Sequence, residues 1–157
     1  MKLHKITYII LALATTVVVS CGKIPANGDL DGQWQLMEIS TKANPSDTQY
    51  TVSTSKKADE IYWRFQLDLL NIHTCSGNLN GRTPDTSARF KHEGNRLDVT
   101  KTYIHFFSRD SLLKDPSTTI LEPIGISGNA ENFNVAHLSR KSMILVNDNK
   151  RLVFRKF

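Results

Sequence analysis

Cysteine is the scarcest chemistry-bearing residue in this chain of 157 residues, which holds two, Cys21 and Cys75. No Cys-x-x-Cys or His-x-x-x-His spacing accompanies them, so a zinc site has too few ligands in sequence. Glycine is sparse as well, with eight residues. Those at positions 77, 81, 125 and 128 stand among turn formers with no helical pattern behind them, which excludes a phosphate-cradling loop at a helix N-terminus. Concentrated positive charge is also missing. Arg140 with Lys141, Lys150 with Arg151, and Arg155 with Lys156 are small pairs without an interleaved aromatic platform, and they read as solvated faces rather than a nucleic-acid surface. Of the histidines His73, His92, His105 and His137, none stands in a nucleophile, acid–base or metal motif. His73 and Cys75, two apart on one strand face, are the single pair of potential ligands, and nothing supplies a third. Asp29 with Asp31, Asp59 with Glu60, and Glu93 with Asp98 read as loop or outward carboxylates that solvation explains. The expectation is no enzyme: no catalytic residue, no metal and no cofactor.

What is present begins at the N-terminus. Met1 to Lys5 carry two lysines and no acid, and Ile6 to Val19 carry no charge. That run is shorter than the about 20 residues a membrane-spanning helix needs and fits the apolar region of a secretory signal. The run ends in Val18, Val19, Ser20 and Cys21, which resembles the bacterial lipobox. The resemblance implies cleavage before Cys21 and acylation of its sulfur and its new amino group. Residues 1–20 are then a lipoprotein signal peptide. Its removal takes Lys2 and Lys5, two of the net +5 charges. It also leaves Cys75 as the one free thiol, so no internal disulfide is possible. Several buried acyl chains, at about 0.8 kcal/mol per methylene, hold such a protein on a membrane without spanning it. Residues 21–31, whose stretch "GKIPANGDLD" has two glycines, a proline and no apolar period, read as a tether. The single domain follows over 32–157.

Within that domain the dominant period is two. In "IYWRFQLDL" Ile61, Trp63, Phe65, Leu67 and Leu69 point one way while Arg64, Gln66 and Asp68 point the other, the alternation of a half-buried strand. Adjacent Leu69 and Leu70 suggest a bulge that hands the inward face to Ile72. Further strands are expected at "ARFKH", "RLDVT", "TYIHFF", "NFNVAHL", "SMILV" and "RLVFRKF". Turns are expected at "SGNLNG", "EGN" and "NDN". Two segments fall outside the pattern: Thr41–Ala58 is long and polar with a short edge strand around Tyr50 to Val52, and Ser108–Gly128 offers one helical turn at "RDSLLKD" and then a looser crossing through Ile120 to Ile126. The pattern predicts an all-β fold, an antiparallel meander of roughly eight to ten strands closing into a small barrel, with a β-sandwich as the alternative. An interior of about eight strands either fills with side chains or holds one small ligand.

The stretch "GQWQL", with Gly32 and Trp34 in the glycine, any residue, tryptophan order, resembles the opening strand of lipocalins. The resemblance implies that Trp34 plugs the closed end of the barrel and that a basic residue of the last strand, Arg155 by position, packs across its ring as a cation–π contact. Thr41–Ala58 would be the loop over the open end. The mature chain is also similar to lipocalin-like lipoproteins of unknown function from Gram-negative gut anaerobes.

Two functions follow as expectations. The first is a membrane-anchored binder of a small apolar or amphipathic ligand, with Trp63, Phe65, Leu67, Leu97, Val99 and Leu145 lining the interior. The second is a solid β domain that binds a protein or glycan through its two long loops. The resemblance to lipoproteins implies, with Gly22 rather than an aspartate after Cys21 and no acidic run following it, an anchor in the outer membrane facing the periplasm.

Overall fold

The computed structural model describes residues 26–44, 46–75, 85–106 and 109–157. The signal segment, Cys21 and the turn expected at "SGNLNG" lie outside the described residues.

Among the described residues, ten strands form one antiparallel sheet. They are β1 (Gly32–Thr41), β2 (Val52–Ser55), β3 (Ile61–Gln66), β4 (Leu69–Thr74), β5 (Thr86–Glu93), β6 (Arg96–Phe106), β7 (Arg109–Leu112), β8 (Glu131–Leu138), β9 (Ser142–Val146) and β10 (Lys150–Lys156). Eight of them run in the order β10-β9-β8-β6-β5-β4-β3-β1, and β10 returns to pair with β1. That last ladder extends from Trp34 opposite Lys156 to Thr41 opposite Lys150, so the sheet closes into a barrel and the sandwich alternative is set aside. Closure removes the exposed edges that an open meander of this size would carry. β2 and β7 are additions that pair with β1 and β6 outside the ring.

Alternation explains the wall. On β3 the inward residues Ile61, Trp63 and Phe65 are buried while Arg64 and Gln66 are exposed. Trp63 stands at the centre of an aromatic cluster, with the rings of Phe65, Phe133 and Phe154 at 6.1, 6.3 and 5.1 Å. Leu97, Val99 and Leu145 are fully buried in the same core. Each such side chain contributes about 1.5–3 kcal/mol by leaving water.

The expected strand "IYWRFQLDL" is in fact a hairpin. Gln66 pairs with Leu69, and Leu67 and Asp68 form the two-residue turn between them. Leu67 therefore does not line the interior. It is 67% exposed with a positive φ of 56°, and Leu69, expected inward, is 40% exposed. Leu69 and Leu70 are the first two residues of β4, in unbroken register with Gln66 and Phe65, so no bulge separates them, and Leu70 and Ile72 take the inward face. A left-handed backbone costs a side chain with a Cβ about 1–2 kcal/mol. Leu67→Gly is thus expected to leave stability unchanged or raise it by up to about 1 kcal/mol, read by denaturant unfolding.

Two further corrections concern β6 and β7. "RLDVT" and "TYIHFF" are one strand with a bulge at Lys101, whose φ is 48°. Before the bulge β6 pairs with β8, and beyond it β6 pairs with β7. The helical turn expected at "RDSLLKD" is strand β7, because pairing with β6 satisfies its backbone where an isolated turn of helix would leave most groups unmet. The edge strand near Tyr50 lies slightly later, at Val52–Ser55, with all four residues exposed.

The segment after β7 is not a surface crossing. Leu121, Ile124 and Ile126 are fully buried, and the short turn Glu122–Ile124 reaches into the barrel until the Ile124 carbonyl accepts a hydrogen bond from Trp63 Nε1 at 3.1 Å. Gly125 makes that approach possible. Its φ is 95°, and a Cβ there would stand 3.0 Å from Leu152 Cδ1 and 3.5 Å from the Trp63 ring. Gly125→Ala is expected to cost about 1–3 kcal/mol through strain and overpacking, visible as a lower melting temperature.

Candidate functional site

At the closed end, Trp34 is fully buried and its Nε1 donates to the Leu30 carbonyl at 2.8 Å. Leu30, within the residues read as tether, is itself buried beneath it. The cation over the indole is Lys156, whose Nζ stands 4.5 Å from the ring centroid. It also donates to the carbonyls of Asp29 and Asp31 at 2.7 and 2.6 Å. Burial pushes the Lys156 ammonium below its ordinary pKa, and the charges of Asp29 and Asp31 pull it back up. Arg155, expected in that role, points outward and donates from Nη2 to Gln35 Oε1 at 2.9 Å. The register explains the exchange: Trp34 faces Lys156 and Gln35 faces Arg155, and a shift of one residue along a strand reverses the face. Gly32 has a φ of 114°, and a Cβ on it would meet Lys156 Cε at 3.2 Å. The glycine two places before Trp34 thus leaves room for the lysine to reach the ring.

The other end of the barrel carries a cleft of about 350 Å³ lined by Ile39, Thr41, Lys42, Glu122, Ser127, Asn149 and Lys150. It lies where β1 ends, β10 begins and the inserted segment crosses between them. Its wall is held by a buried charge network. Lys150 and Glu131 side chains are each 8% exposed, with Nζ 3.2 Å from Oε2. Lys150 Nζ also donates to Ser127 Oγ at 2.6 Å and the Gly125 carbonyl at 3.3 Å. The second oxygen of Glu131 accepts from Asn147 Nδ2 at 2.5 Å, and its Oε2 also accepts the Ser127 backbone N–H. The sequence reading of Lys150 as part of a solvated basic pair is therefore corrected. Its ammonium pins the inserted segment to the mouth of the barrel. Tyr50, from the polar loop after β1, closes the rim by donating to the Asn147 carbonyl at 2.5 Å. Lys42 lies 5.9 Å from the Tyr50 ring centroid, and among the described residues no carboxylate pairs with it. The cleft thus offers an apolar wall at Ile39, with the Lys42 ammonium and the exposed Glu122 carboxylate on the same lining.

Of the interior residues expected to meet a ligand, Trp63, Phe65, Leu97, Val99 and Leu145 come together in the core, and Leu67 does not join them. Leu121, Ile124 and Ile126 of the inserted segment join them in one core, with the Ile124 carbonyl reaching Trp63 Nε1.

The histidines form contacts that spacing did not announce. His73 Nδ1 is 2.5 Å from Asp85 Oδ1, while Cys75 is exposed just past β4. His105 stands between Ser87 Oγ at 2.8 Å from Nε2 and Asp110 Oδ1 at 2.6 Å from Nδ1, the order of a nucleophile, base and carboxylate. That chain lies on the outer face of the wall. β5 is paired on both edges at Ser87, to Asn71 on one side and Tyr103 on the other. Among the described residues, no group of three or more histidine, cysteine or acidic side chains is placed to hold a metal ion.

Comparison with known proteins agrees with this geometry. Two solved structures share the fold. A lipocalin-like protein from Bacteroides uniformis matches with a TM-score of 0.55 at 20% identity, over 83% of this chain and 100% of that one. A protein from Bacteroides eggerthii matches with a TM-score of 0.51 at 19% identity, over 81% and 98%. No curated protein matches the chain. The family model for the lipocalin-like domain matches residues 15–157, and with the closed eight-stranded barrel and the lysine-covered tryptophan at its base, the chain belongs to the lipocalin-like domain family.

Proposed function

We propose that this protein is an acylated lipoprotein, anchored through Cys21 in the outer membrane and facing the periplasm, whose barrel binds a small amphipathic ligand without catalysis. The cleft at the open end is the observation that carries the binding reading. Its volume of about 350 Å³ is within the about 300–1,000 Å³ range of small-molecule sites. The inserted segment fills the centre of the barrel, so the ligand lies at the mouth, its apolar part against Ile39 and its anionic group toward Lys42. Decanoate and deoxycholate, compared with a neutral alkyl glucoside, test this in thermal-shift titrations, since a ligand that binds only the folded state raises its stability by mass action. The anionic probes are expected to raise the melting temperature, and Lys42→Glu to weaken them about tenfold, one charge-assisted contact. Equal, null responses to all three probes would contradict the reading.

The filled interior favours one other reading, a solid domain that binds a protein or glycan through its loops. Alanine blocks over residues 46–51 and 117–120, followed by partner capture from envelope extracts, separate the two. Loss of a captured partner with no response to small amphiphiles supports the second.

A further inference from the structure

The exposed turn between β3 and β4 is costly on two counts. Leu67 places a branched apolar side chain 67% in water on a backbone with φ of 56°, a position where glycine or asparagine is the ordinary occupant. Leu69, beside it, is 40% exposed. An exposed leucine alone is unremarkable on a protein surface. A leucine kept where both solvent and backbone disfavour it is a reason to ask what covers it.

The N-terminal segment supplies the answer. Asn27 Nδ2 donates to the Leu67 carbonyl at 2.8 Å, so the point where the chain reaches the barrel lies against this turn. The number of residues between Cys21 and Ala26 limits their separation to about 17 Å even at full extension. If Cys21 sits at a lipid surface, that surface is within about 17 Å of Ala26, close enough for the closed end to rest against it, and the cleft at the opposite end faces away from it. We infer that the β3–β4 turn, led by Leu67 with Leu69 beside it, inserts into the bilayer surface that holds the anchor and fixes the barrel upright on it. This rests on the acylation of Cys21. The anchor holds the turn at high local concentration near the lipid, so a shallow contact by two leucines suffices to orient the domain.

The test uses the full-length protein recovered from bacterial membranes and reconstituted in phosphatidylethanolamine and phosphatidylglycerol vesicles. A single tryptophan is introduced at the turn by Leu67→Trp or, as a reference away from the closed end, by Leu112→Trp. The native Trp34 and Trp63 are fully buried and give a constant background. Lipids brominated near the headgroup are expected to quench the Leu67→Trp signal, and vesicles to shield it from iodide at least threefold, while Leu112→Trp stays open to iodide. Mass spectrometry of the Cys21 peptide reads the anchor separately. An acylated Cys21 with a Leu67→Trp signal as open to iodide as that of Leu112→Trp overturns the turn contact alone. An unmodified Cys21 overturns the anchor and the contact with it.

Discussion

Replacing Glu131 by leucine should destabilise the domain by about 3–5 kcal/mol, because it strands the Lys150 ammonium in a buried site with only neutral acceptors. Lys150 would retain Ser127 Oγ at 2.6 Å and the Gly125 carbonyl at 3.3 Å, which compensate a hydrogen-bond donor but not a buried charge. The same change frees the backbone N–H of Ser127 and the amide of Asn147, so the inserted segment and the β9–β10 turn loosen together. Adding Lys150→Met to Glu131→Leu should recover most of the loss, since removing both charges also removes the cost of desolvating them. Denaturant unfolding of the two single variants and the double variant measures this coupling. Additive losses would mean that the pair acts as two independent surface groups.

The second large effect is expected at the closed end. Trp34→Ala removes a fully buried indole and its hydrogen bond to Leu30, and should cost about 3–5 kcal/mol. Lys156→Ala should cost about 1–2 kcal/mol, the worth of a desolvated cation–π contact. Arg155→Ala should cost less, about 0.5–1 kcal/mol, since its guanidinium is exposed and the loss is one hydrogen bond to the buried Gln35. The ranking matters more than any single value. If Arg155→Ala were the costlier of the two basic substitutions, the register that puts Lys156 over the indole would be wrong.

Much of the barrel was legible because its wall follows a period of two. Ile61, Trp63 and Phe65 of β3 and Leu97 and Val99 of β6 are buried as that alternation implies, and Gly32 and Trp34 stand at the closed end. The misreadings have local causes. The alternation ran on through Leu67 because leucine is a poor turn residue, so nothing in "QLDL" announced a hairpin. Arg155 and Lys156 are adjacent and both basic, and only the pairing register decides which one turns inward. Lys150 looked solvated because burial of a lysine depends on Glu131, nineteen residues away in sequence and on another strand. Leu121, Ile124 and Ile126 carry no period of two and surround a proline, so they resembled a loop. They are core because the barrel has a centre to fill, which is a property of closure rather than of the segment. The relay of Ser87, His105 and Asp110 was invisible for the same reason, since three strands had to be placed side by side first.

The cleft at the barrel mouth, held open between β1, β10 and the segment pinned by Lys150, is the centre of the functional account. Backbone chemical-shift mapping of the folded domain during titration with decanoate tests it most directly. The account predicts saturable shifts concentrated at Ile39, Thr41, Lys42, Ser127 and Asn149, with Leu97 and Val99 unmoved. Shifts confined to the closed end, or none at saturating ligand across the amphiphiles tried, would contradict it.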